Sequence, residues 1–232
     1  GPNVLINYLI GRYHVPKEEE RIFMFMDIRS STTIAERLGH VKWHHFLNDY
    51  FFDIAKPVRR SRGEIYQYVG DEVVISWPKK NGLRNLNCIR CFFWIWDLMQ
   101  ARREWYLKKY GYEPIFKAGY HVGKVIMGEI GDYKRDIVFH GDTVNTASRI
   151  QVECNRFNRR LLLSNILLEQ LDLKDEYVAE YITKIRLRGK ENDLDLYSLD
   201  PVDDHPNLVP TGPMDTIQAA RERRAQRKQV TD

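Results

Sequence analysis

Four polar residues in this chain have the types and spacing to work on a phosphorylated substrate. Asp27 nearly ends the apolar run RIFMFMDI, residues 21–28, just ahead of the hydroxyl-rich stretch Ser30, Ser31, Thr32 and Thr33. Asp71 stands in a Gly70-Asp71 turn between two strand-like runs, EIYQYV and EVVISW. Hard cations such as Mg²⁺ take oxygen ligands and leave positions for phosphate oxygens, so two carboxylates at one sheet edge suit a metal and phosphate site. A helix opening at Ser30, Ser31 and Thr32 would add free backbone N–H groups facing a phosphate. Asn145 and Arg149 are four apart in GDTVNTASRI, residues 141–150, and so share a helix face. An amide beside a guanidinium can hold a ribose and clamp charge on a transferring phosphoryl group. Each group also has an ordinary reading. Carboxylates are common at strand ends, Gly-Asp is an everyday turn pair, and one helix Arg usually makes a surface ion pair.

The elements that must position these groups follow from periodicity and turn residues. Residues 21–28 suit a buried central strand, being too short for a helix that stands alone. A helix through IAERLG ends at Gly39, and a second runs over residues 41–60 with Trp43, Phe46, Leu47, Tyr50 and Phe51 at helical spacing. Residues 64–69 and 72–77 form a hairpin around Gly70-Asp71. The aromatic block 87–110 is one long helix closed by Gly111. Residues 116–122 and 125–130 form a second strand pair around Gly123-Lys124, and 142–155 form a helix. A short strand at 161–164 and a helix at 165–171 come next. Two late strands, 177–187 and 195–199, flank Arg188-Gly189-Lys190. This order is an α+β arrangement, a mixed sheet with helices packed on one face. Residues 1–20 read as a linker leading into the domain, 21–200 as the folded domain and 201–232 as a polar, basic tail.

Composition narrows the classes further. The 232 residues carry 36 basic and 32 acidic side chains, a formal net charge of +4, too small an excess to imply a nucleic-acid partner. Three cysteines, Cys88, Cys91 and Cys154, cannot all pair within one chain, which suggests a reducing, cytoplasmic setting. Cys88 and Cys91 have C-x-x-C spacing, but their surroundings, CIRCFFWIWDLM, read as a buried helix rather than a metal site. No run approaches the roughly 18 to 20 apolar residues of a membrane span. Gly1-Pro2 lacks an initiator Met and reads as a cleavage scar, so a membrane association would require an upstream segment that has been removed.

The stretches MDIRSST, YVGDEVVISW, FKAGYHVGKVIMGEIG and HGDTVNTASRI occur in the order and at the separations of the signature motifs of class III adenylyl and guanylyl cyclases. The chain resembles that family over roughly residues 21–199. The resemblance implies a ferredoxin-like βαββαβ sandwich working as a head-to-tail homodimer. It implies a nucleoside triphosphate substrate and two divalent ions, Mg²⁺ or Mn²⁺. The family's metal aspartates fall on Asp27 and Asp71, with the backbone carbonyl of Ile28 as a further ligand; its transition-state Asn and Arg fall on Asn145 and Arg149. A Lys that binds the terminal phosphates in many members falls on Lys190.

The chain departs from the family where the base is read. Adenylyl cyclases place a Lys four residues before the second metal Asp and an Asp or Thr seven before the Asn; guanylyl cyclases typically place Glu and Cys. Here those positions hold Gln67 and Val138. Gln donates or accepts a hydrogen bond and Val does neither, so neither purine pattern is present. This favours, by a small margin, a pyrimidine cyclase resembling the Pycsar antiphage enzymes that make cyclic UMP or cyclic CMP. An adenylyl cyclase with a loose base pocket is the alternative, and a guanylyl cyclase ranks last for want of an acid at position 67. An inactive cyclase-like regulatory dimer is the reading from another class, and the presence of Asp27, Asp71, Asn145 and Arg149 together weighs against it.

Overall fold

Strand β1 (Lys17–Ile28) is the axis of the structure, a computed structural model that describes residues 15–131, 133, 136–186 and 193–202. It is covered on both faces, with Ile22, Met24 and Met26 buried toward one and Phe23 and Phe25 toward the other. That two-sided burial is why its sequence runs apolar without alternating. The strand begins at Lys17, so the last four residues expected to be linker are paired in the sheet, Glu18 opposite Ile126 and Glu20 opposite Lys124.

From β1 the chain passes through α1 (Ser31–Leu38) and α2 (His40–Arg60) to β2 (Glu64–Val69), then turns into β3 (Glu72–Pro78). Gly70 turns that hairpin with φ near +63°, a conformation that costs glycine no Cβ clash. A one-turn helix α3 (Lys79–Leu83), then α4 (Asn87–Ala101) and α5 (Arg103–Tyr110), lead to β4 (Phe116–Ile130). The order β2-β3-β1-β4 with antiparallel neighbours is the βαββαβ ferredoxin-like arrangement, as expected. Strand β5 (Asp136–His140) pairs with β4, and α6 (Asp142–Arg156) follows. Then β6 (Leu161–Ser164), the single turn α7 (Asn165–Leu168), β7 (Tyr177–Arg186) and β8 (Asp193–Pro201) extend the sheet in the order β4-β6-β8-β7.

Three expectations are corrected. Residues 116–130 are one strand and not a hairpin: Gly123 stays in the ladder opposite Arg21, and the second half pairs with the start of β1 on one edge and with β5 on the other. The aromatic block 87–110 breaks at Arg102, which leaves helical geometry, into α4 and α5. Helices cover both faces: α2 and α4 pack on the side of Met24 and Trp77, whereas Ala147 of α6 packs with Phe23, Phe25 and Val74 on the other. Gly119 permits that second layer, because a Cβ there would lie 2.1 Å from the backbone nitrogen of Gln151 in α6. Cys88, Cys91 and Cys154 are free and buried in their helices.

Candidate active site

The end of β1 and the β2–β3 turn bring Asp27 and Asp71 together. Their carboxyls lie within hydrogen-bonding reach of each other, and the Ser31 hydroxyl within reach of Asp71. Asp71 Oδ2 is buried with no hydrogen-bond partner among the described residues. Asp27 Oδ2 meets Lys117 Nζ at 3.0 Å, an ion pair across the β1–β4 ladder where the two residues are direct partners. Gln151 Nε2 donates to the same oxygen at 3.1 Å.

This environment drives the two carboxyls apart. Burial alone would raise Asp27, but the hydrogen bonds of Asp71 and Lys117, the Lys117 charge and the Gln151 amide outweigh it, leaving its pKa below the ordinary value. Burial, then the hydrogen bond and negative charge of Asp27, push Asp71 up to about 6. Burial and the same two aspartates push Glu72 up to about 7, with Lys117 pulling the other way. Beneath the pair, α2 places Tyr50 with its hydroxyl buried and unpartnered among the described residues. Burial and the negative charges of Asp27 and Asp71 raise that phenol well above its usual value.

The donor set fits a hard divalent cation. Two carboxylates pressed together, one with an unsatisfied buried oxygen, gain from a cation between them, and all their donors are oxygens. Among the described residues no cluster of three or more His, Cys, Asp or Glu could hold a metal alone. The remaining ligands would have to come from backbone, water or substrate phosphate, which is how Mg²⁺ is commonly held.

The other expected residues are placed as follows. Ile28 is buried at the end of β1, next to Asp27. Ser30 precedes α1 with φ near +56°; its carbonyl accepts from Ile34 N–H at 3.0 Å but its side chain makes no cap. Thr32 is exposed in the first turn of α1. Asn145 and Arg149 are exposed on α6, while Ala147 and Gln151, about half a turn around it, are buried against β1 and β4. Within one chain the Asn–Arg pair therefore does not face the carboxylates. Gln67 is exposed on β2 and Val138 half-buried on β5. Their neighbours meet: the Tyr66 and Phe139 rings are 4.9 Å apart, and Phe139 N–H donates to the Tyr66 hydroxyl at 3.3 Å. Lys190 lies outside the described residues, as does the tail from 203 on.

Sequence reasoning missed Lys117, Gln151, Glu72 and Tyr50. A Lys inside the apolar run FKAGYHV was the available signal for the first, since a charged side chain in a central strand needs a partner. Gln151 carried a weaker one, a polar residue on the buried stripe of α6.

The fold and carboxylate pair define a class, and comparison with known proteins names it. The family described as "Adenylate and Guanylate cyclase catalytic domain" matches residues 14–200, and the chain belongs to that family of nucleotidyl cyclase domains. "Adenylate cyclase 2" of Rhizobium meliloti is 38% identical over 199 residues, covering 86% of this chain and 55% of the relative. "Adenylate cyclase" of Anabaena cylindrica is 27% identical, covering 76% of this chain and 36% of the relative. The chain thus spans about half the length, or less, of these curated relatives. In fold it is similar to the adenylyl cyclase CyaB from P. aeruginosa, with TM-score 0.70 at 21% identity over 84% of this chain and 99% of that one. The guanylate cyclase domain of RhGC from Catenaria anguillulae gives TM-score 0.66 at 19% identity, over 80% and 98%. Among the described residues no helix is long and apolar enough to cross a membrane.

Proposed function

We propose that this chain converts ATP to 3′,5′-cyclic AMP and pyrophosphate, as a homodimer that builds each site from both protomers. The observation that carries the reading is the opposed pair Asp27 and Asp71, with one buried, unsatisfied oxygen, on the cyclase fold. Asp27, Asp71 and the Ile28 carbonyl would hold two Mg²⁺ or Mn²⁺ ions. When bound, such ions activate a ribose 3′-hydroxyl and neutralise charge on the β and γ phosphates. Lys117 holds Asp27 ionised and in place. Asn145 orients the ribose and Arg149 meets the charge that grows on the α-phosphate. The 3′-oxygen bonds to the α-phosphorus in line, the bond to the β-phosphate oxygen breaks, and the hydroxyl proton leaves to solvent. Ser31, through Asp71, and Lys190 are assigned to the phosphate side.

ATP is supported by the two relatives above, both named adenylate cyclases. One observation favours a second reading, UTP or CTP, with a place in antiviral defence: Gln67 and Val138 provide neither purine pattern, and a branched Val narrows the slot for a second ring. Turnover of the four nucleoside triphosphates with Mn²⁺, with products identified by mass, tests both. Cyclic AMP as main product supports the first reading and cyclic UMP or CMP the second. No cyclic product from any of the four overturns both.

A further inference from the structure

Arg21 is a charged residue that the reaction does not use, yet it is 3% exposed in the middle of the sheet. Its guanidinium touches four strands. Nη2 donates to Ser76 Oγ on β3 at 2.9 Å and to the Glu64 carboxylate on β2, and Nη1 reaches Glu19 of its own strand at 3.3 Å. Its central carbon lies 4.7 Å from the centre of the Phe139 ring on β5. Phe139 stands edge-on to Phe23 at 5.4 Å and to Tyr66 at 4.9 Å.

These contacts join the neighbourhoods of Gln67 and Val138, the two positions assigned to the base by resemblance. In the sheet β2 and β5 are separated by β3, β1 and β4, so no ladder holds one to the other. The stack Arg21–Phe139–Tyr66 does so across the sheet face. Phe139 directly follows Val138, and Tyr66 directly precedes Gln67 at the point where β2 slips register against β3. A bulge re-aims the side chains beside it, so what holds Tyr66 sets the direction of Gln67. Arg suits the task because its flat guanidinium stacks on a ring while its edge donates to Glu64 and Ser76; a Lys has one point charge and no plane.

We propose that Arg21 is a positioning residue for base selection, clamping β2 to β5 so that Gln67 and Val138 stand at a fixed separation. The proposal rests on the cyclase reading above and on those two residues facing the base. A merely structural Arg21 would change stability and leave selectivity alone.

The test compares the full chain with Arg21→Met, Arg21→Lys and Phe139→Leu, measuring kcat and KM for the four triphosphates with Mn²⁺. Phe139→Leu removes the stack while keeping the polar contacts of Arg21, and serves where Arg21→Met fails to fold. The expected result is a fall of about tenfold in the kcat/KM ratio between the preferred and next-best triphosphate, on the scale of a small misplacement of a binding group. Arg21→Lys should melt closer to the parent than Arg21→Met does and still show the lost selectivity. A ratio within about twofold of the parent in the folded variants overturns the proposal. If the parent turns over none of the four, the cyclase reading falls. Calorimetric binding of the same four triphosphates then decides: relative affinities altered in the variants support the clamp, and unchanged affinities or no binding overturn it.

Discussion

Asp27 and Asp71 share one small volume, yet their surroundings assign them opposite protonation tendencies. Lys117 and Gln151 serve Asp27, whereas Asp71 has burial and a negative neighbour, with a pKa near 6 against an ordinary 3.8. A carboxyl whose folded pKa is raised binds more protons folded than unfolded, so its contribution to stability is full below pH 4 and is lost as pH rises through about 6. Asp27, with its lowered value, acts in reverse, and its contribution is lost as pH falls below the ordinary carboxylate range. Asp71→Asn should therefore melt higher than the parent at pH 8 without metal, by about 1 kcal/mol once solvent screening is discounted. It should also abolish turnover. Mn²⁺ should raise the melting temperature of the parent at pH 8 and leave that of Asp71→Asn unmoved, because a cation that binds only the folded site stabilises it. Thermal denaturation at pH 5 and pH 8, with and without Mn²⁺, checks this; a lower melting point for Asp71→Asn at pH 8 would count against a strained metal pair.

At the scale of elements, what could be read from the sequence was whatever is fixed locally. Asp27 and Asp71 were legible because a strand end and a Gly-Asp turn are short-range features, and the helix holding Asn145 and Arg149 because its apolar stripe has the helical period. Long-range facts were not. Gly123-Lys124 has turn chemistry, but antiparallel pairing with Glu20 and Arg21 keeps it extended. Strand β5 is five residues long, and its sheet pairing, not its pattern, makes it a strand. Lys117 gains its partner only through the β1–β4 register, which no local pattern announces. Gly119 is the sharpest case, since its meaning is the helix lying over it. In Gly119→Ala the new methyl would sit 2.1 Å from the Gln151 backbone nitrogen, and α6 would have to move as a body. A loss of about 2–3 kcal/mol in denaturant unfolding is expected, typical of an overpacked core. Activity should fall further than stability alone accounts for, since the same helix carries Gln151 to Asp27 and bears Asn145 and Arg149. Unfolding indistinguishable from the parent would refute this account of Gly119.

At the scale of the whole molecule, the orientation of α6 decides how a site can be completed. Its buried side delivers Gln151 to the carboxylate pair, so its Asn145–Arg149 side points to solvent, away from Asp27 and Asp71 of the same chain. On the function proposed above, one chain would thus hold a metal half-site and a separate transition-state half-site. Two chains related by a twofold axis can bring each half to the other, making two equal sites at one interface. Asp71→Ala should then be inactive because both sites of its dimer lack a metal ligand, and Arg149→Ala because both lack the guanidinium. A mixed dimer is different: one site carries both defects, and the other draws intact Asp71 from one chain and intact Arg149 from its partner. Mixing equal amounts of the two variants should give half mixed dimers with one working site in two, so about a quarter of parent activity is expected when exchange is complete and pairing random. Activity should also fall on dilution as dimers separate. The assay is turnover of the mixture against time, with exchange followed by a tag on one variant. Exchange without recovered turnover would mean that each chain completes its site alone, with Arg149 reaching Asp71 through a movement of α6.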